Sequence, residues 1–224
     1  MSLKKHLIFD CDGVIVDSEI VATRISLRLL KPFGYHADEL THAERYAGLL
    51  ENEILERLRH DEGLDLPADL FHNIVQEIQQ HMFEEMQPVP GMKALILALP
   101  VPLAVVSNSR VAHVTRCLSM MGIHDAVGER IFSAEHVAKP KPHPDVYLLA
   151  VERLGLDPAA TLVVEDSLAG VTAAMAAGLE VIGFLGASHI SPQHAARLRS
   201  AGVQTLAANA AELAQHLNER LIPA

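Results

Sequence analysis

Five short β-like runs punctuate the chain, and three of them, "HLIF" (6–9), "PLAVVS" (102–107) and "EVIGFL" (180–185), are apolar almost throughout. A strand with no polar face belongs in a sheet covered on both sides, and such sheets are parallel. "TLVVE" (161–165) and a weaker "RIFS" (130–133) complete the set. Helical sequence fills the intervals at about 109–121, 143–155, 167–177 and 191–202. Strand and helix in alternation predict an α/β fold, a doubly wound, Rossmann-like parallel sheet.

Residues 17–87 break the alternation. "VATRISLRLLKPFG", "NEILERLRHDEG" and "ADLFHNIVQEIQQHMFEEM" have helical spacing and little β character, until "QPVPG" (87–91) returns the chain to α/β sequence. The economical division is a catalytic core of 1–16 and 88–224, with an all-helical cap of 17–87 inserted after the first strand and packed over the sheet edge. Asp17 and Glu19 fall in the segment entering the cap, which is expected to be mobile.

Composition narrows the partners. The 224 residues are half hydrophobic, and 28 acids against 18 bases give a net charge of −10. That charge argues against nucleic acid. No run is long enough for a membrane span. The two cysteines, Cys11 and Cys117, do not make a disulfide scaffold, and with no signal-peptide pattern a cytoplasmic monomer is expected.

Chemistry gathers where the strands end, the place where open α/β sheets bind ligands. The first strand runs into Asp10-Cys11-Asp12, the second into Ser107-Asn108 and the fourth into Glu165-Asp166-Ser167. A basic, proline-rich loop, "AKPKPHPD" (138–145), lies between the last two. Acids often follow strands as turn formers or helix caps. Four complementary patches together are harder to dismiss. Two carboxylates about 4 Å apart repel by on the order of 4 kcal/mol at an effective dielectric near 20. Asp10, Asp12, Glu165 and Asp166 at one sheet edge therefore need a cation or raised pKa values. An oxygen-rich donor set favours Mg²⁺. Cys11 alternates to the other side of the strand and reads as a small buried residue.

"DCDGVIVDSE", "VVSNS", "KPHPDVY" and "VVEDSLAGVTAAMAAG", in that order, resemble the haloacid dehalogenase-like hydrolase superfamily, in the branch with a helical cap after the first strand and with β-phosphoglucomutase-like members. The resemblance implies that Asp10 is the nucleophile of an aspartyl-phosphate mechanism. Asp12 would be the acid and base, its main-chain carbonyl also serving the metal. Ser107 and the Asn108 amide would hold phosphoryl oxygens, and Asp166 would bind Mg²⁺ with Glu165 as ligand or outer partner. Both Lys139 and Lys141 precede proline; the family spacing Lys-Pro-x-Pro-Asp selects Lys141, leaving His143 as a solvent-facing loop residue.

Family members that cleave carbon–halogen bonds lack the second aspartate, so Asp12 implies phosphoryl transfer. The substrate is expected to be a small phosphorylated metabolite, a sugar or polyol monophosphate, chosen by the cap. The alternative is a sugar phosphomutase, which would hold a second phosphate with a lysine and an arginine around a cap glycine. The matching stretch, "ERYAGLLENE" (44–53), has Ala47 before Gly48 and Glu51 after it, which favours hydrolysis. Arg45, Arg57 and Arg59 are the cations near enough to compensate.

Overall fold

The computed structural model describes residues 4–46, 49 and 51–221, and the chain divides into two compact units. One holds the chain up to Val16, Pro88–Ala187 and the chain from His194 onward; the other holds Asp17–Gln87 with Ser188–Gln193. The strands are β1 (His6–Phe9), β2 (Val16–Asp17), β3 (Gln87–Pro88), β4 (Leu103–Ser107), β5 (Ile131–Ser133), β6 (Thr161–Glu165), β7 (Glu180–Phe184) and β8 (Thr205–Ala207). Six of them form one parallel sheet in the order β5-β4-β1-β6-β7-β8. β2 and β3 pair as a ribbon where the chain leaves the first unit and returns.

The sheet is doubly wound, as its sequence predicts. β1 lies at its centre, with Phe9 opposite Val105 of β4 on one side and Val164 of β6 on the other. Every residue of β4 and β6 is buried, which is why their sequences carry no polar alternation. Around the sheet run α5 (Met92–Leu97), α6 (Val111–Met120), α7 (His124–Val127), α8 (Asp145–Leu154), α9 (Leu168–Ala176), α10 (His194–Ser200) and α11 (Ala210–Arg220). Ile8, Val106, Tyr147, Val163, Val171 and Leu198 belong to one continuous core.

The other unit contains, among the described residues, four α-helices, α1 (Ser18–Leu30), α2 (Glu39–Tyr46), α3 (Glu51–Asp61) and α4 (Leu70–Glu85). Leu30, Tyr35, Ile54, Leu55, Leu58 and Ile74 close its own core. Ser188–Gln193, which the sequence leaves within the α/β core, clusters with these helices. There the Ser188 N–H donates to both carboxylate oxygens of Asp17 (3.2 and 3.1 Å). Asp17 is buried, and Glu19 lies in the first turn of the first of the four helices.

Candidate active site

Because β1 sits between β4 and β6, the residues leaving the carboxyl ends of these strands become neighbours. Asp10 continues β1, its N–H donating to the Val164 carbonyl (3.0 Å), so its main chain is held by the sheet. Lys141 comes from the loop before α8 and is buried, whereas Lys139 and His143 are exposed. Its Nζ donates to Asp10 Oδ1 (2.7 Å), Glu165 Oε1 (2.7 Å) and the Val106 carbonyl (2.8 Å). All three ammonium protons are thus directed. Asn108 holds the loop in place: its amide donates to the Lys141 carbonyl (3.1 Å) and accepts from the Lys141 N–H (2.9 Å).

Burial raises the Asp10 carboxyl to about 8; Lys141 opposes the shift, while Glu165 and Asp12 add to it. Desolvation pulls the Lys141 ammonium down, but Asp10 and Glu165 outweigh it and hold the group well above the usual lysine range. Glu165 is fully buried, and both its oxygens are in use. Oε1 accepts from Lys141 and from the Tyr147 hydroxyl (2.9 Å); Oε2 accepts from the Ser167 N–H (3.1 Å) and hydroxyl (3.0 Å). Ser167 also caps α9 by accepting from the Gly170 N–H (3.0 Å).

Asp10, Glu165 and Asp166 each bring a carboxylate oxygen within 4.8 Å of the others. Two glycines make the room. A Cβ at Gly13, whose φ of 80° also suits only glycine, would lie 1.9 Å from Asp166 Oδ2. A Cβ at Gly170 would lie 1.7 Å from Glu165 Oε1.

Asp12 points toward the turn after β4. Its Oδ2 accepts from the Ser109 hydroxyl (2.7 Å) and more distantly from Ser107 (3.3 Å), while Oδ1 meets His113 Nε2 (3.1 Å). Hydrogen bonding to Asp12 and Cys117 lifts the His113 imidazole to about 10. Cys117 in turn hydrogen-bonds Cys11, and that bond with the one to His113 outweighs burial and draws the Cys117 thiol down to about 6. Cys11 is fully buried, in keeping with its place on the strand.

Sequence reasoning singled out Asp10, Asp12, Ser107, Asn108, Lys141, Glu165 and Asp166, and the structure brings them to one sheet edge. It missed Tyr147, Ser109 and His113. Tyr147 follows "KPHPD" closely enough to be noticed, but Ser109 and His113 act on a side chain about a hundred residues away and leave no local signal. Ala47 and Gly48 lie outside the described residues. Of the nearby cations, Arg45 pairs with Glu62 and stacks on Tyr46, and Arg59 pairs with Glu56 (2.7 Å) and donates to the Pro67 carbonyl (3.0 Å).

A family model described as haloacid dehalogenase-like hydrolase matches residues 7–184. The chain is 26% identical to the 6-phosphogluconate phosphatase of Escherichia coli, covering 86% of this chain and 87% of the relative. It is 30% identical to hexitol phosphatase A of the same organism over 80% of this chain and 82% of that one. Among solved structures, a HAD family hydrolase from Deinococcus radiodurans with bound phosphate and sodium superposes with a TM-score of 0.88, at 30% identity and full coverage of both chains.

Proposed function

The chain belongs to the haloacid dehalogenase-like hydrolases and is a phosphatase of that family, and from that premise we propose a Mg²⁺-dependent hydrolysis of sugar or polyol monophosphates through a phosphoryl group carried on Asp10. The observation that carries this reading is the buried Asp10–Lys141–Glu165 contact with Asp166 beside it. Nothing in a purely structural role calls for three buried carboxylates within 4.8 Å of one another, two of them bonded to one ammonium.

The residues fit a hard divalent ion. The available donors are oxygens, and Asp166 occupies the space that Gly13 leaves by having no side chain. Asp10, Asp166 and the Asp12 main-chain carbonyl would hold Mg²⁺. Glu165, already accepting from four protein donors, serves as the outer partner that aims Lys141. When bound, Mg²⁺ supplies positive charge against the phosphoryl oxygens. The Deinococcus hydrolase, solved with bound phosphate and sodium, supports a phosphate- and cation-binding reading here.

Asp10 attacks phosphorus and the bond to the leaving oxygen breaks; Asp12 gives that oxygen its proton. Water then attacks the phosphorus, Asp12 takes the water's proton, and the bond to Asp10 breaks to release phosphate. Lys141 neutralises both nucleophile and phosphoryl group, and Ser107 with the Asn108 N–H holds phosphoryl oxygens. The 6-phosphogluconate and hexitol phosphatases support the substrate class. Hydrolysis is preferred to transfer because Ala47 and Glu51 stand in the sequence where a mutase carries a lysine and an arginine around its cap glycine, and because Arg45 and Arg59, two of the three nearby cations, are engaged by Glu62 and Glu56. A distal phosphate would forgo charge-assisted contacts worth about 1.5–3 kcal/mol each.

Phosphate release from a panel of phosphorylated sugars and polyols tests the reading. EDTA dialysis is expected to abolish turnover and Mg²⁺ to restore it, with Asp10→Asn inactive under either condition. Full turnover without metal, or interconversion of glucose 1- and 6-phosphates with little phosphate released, would refute it.

A further inference from the structure

Asp12 has a device of its own for staying in place, built from the turn and helix that follow β4. Its carboxylate is gripped at both oxygens, by Ser109 Oγ at 2.7 Å and by His113 Nε2 at 3.1 Å. The imidazole is carried by α6, whose helical backbone fixes where its ring can reach. From this we infer that His113 is a positioning residue for proton transfer by Asp12, with Ser109 as its counterpart on the other oxygen.

The physical case rests on geometry. An acid catalyst must stand within hydrogen-bond reach of the leaving oxygen when the bond breaks. Asp12 is only partly buried, so its short side chain has open rotamers that a fixed partner must suppress. Serine can rotate to follow a moving carboxylate. A ring carried on α6 has few rotamers with which to follow, so His113 sets the direction.

The inference rests on the reading of Asp12 as the acid, and the test separates the two. Measure kcat/KM, which reports only the steps through leaving-group release, for p-nitrophenyl phosphate and for a polyol monophosphate in saturating Mg²⁺. His113→Ala is expected to lose about tenfold on the polyol ester, a fraction of the 10²–10⁴-fold contribution of a general acid, and less than about threefold on the aryl ester. The aryl leaving group needs little protonation. His113→Gln, whose Nε2 can donate from nearly the same place, is expected to recover most of the polyol activity. Equal losses on the two esters in His113→Ala, or a folded His113→Gln without recovery, overturn the inference while Asp12→Asn still discriminates between them. Asp12→Asn failing to discriminate overturns the assignment of the acid, and the inference with it.

Discussion

A methyl group added at Gly170 would lie 1.7 Å from Glu165 Oε1 and 1.9 Å from its carboxyl carbon. Gly170 is helical, so alanine there should favour α9 by roughly 1 kcal/mol on propensity alone. The collision acts in the opposite direction, pushing Glu165 off Lys141 and Tyr147. Gly170→Ala is therefore expected to lower turnover at least about tenfold, through the electrostatics of a displaced partner, while circular dichroism shows an intact helix content. Wild-type activity in that variant would mean that the Glu165–Lys141 contact is dispensable. The same residue shows the limit of sequence reading at this scale. Asp10, Asp12 and Lys141 stand out because charge directly after an apolar strand, or between prolines, is conspicuous. Gly170 and Tyr147 do their work by contact with a side chain in another segment, and the sequence of α9 or α8 alone reads as ordinary packing.

Elements were legible in proportion to how fully they are buried. β1, β4 and β7, almost wholly buried, announce themselves as nearly continuous apolar runs; β8 pairs on one side only, is three residues long and half-exposed, and carries no such signal, nor does α11 behind it. The helical unit was legible as helices, but not the buried polar contact inside it. His42, on Glu39–Tyr46, meets the Tyr35 hydroxyl at 3.1 Å and lies edge-on to the Tyr35 ring and tilted against that of Tyr46. Burial, with the nearby Arg45 charge, pulls its pKa from 6.5 to about 4. The folded unit thus refuses a proton that the unfolded chain accepts. Its stability from this source is complete above about pH 6.5 and is lost as pH falls toward 4, by on the order of 3 kcal/mol. With no tryptophan and only three tyrosines in the chain, two of them beside His42, urea unfolding followed by tyrosine emission reads this unit. Between pH 7 and 4.5 the wild type should lose more stability than His42→Asn, by about that amount. An identical pH slope in both proteins would show that His42 is not the group responsible.

At the scale of the molecule, the parallel sheet was legible from the spacing of its strands, whereas the membership of Ser188–Gln193 in the helical unit was not, since it depends on a contact with Asp17, 171 residues away. The position of β1 between β4 and β6 has a consequence in time. The first strand to be synthesised has no neighbour in the sheet until residues 103–107 and 161–165 exist, and the Lys141–Asp10 contact closes a separation of 131 residues. Loops of that length form slowly compared with local helices. Phosphatase activity should therefore be the last property to return when the chain is diluted from urea into Mg²⁺ buffer, trailing the far-ultraviolet helical signal. Turnover recovering in step with the earliest helical signal would mean that the site does not wait for the central strand. An emerging chain, by the same reasoning, cannot bring Lys141 to Asp10 until most of the polypeptide has left the ribosome.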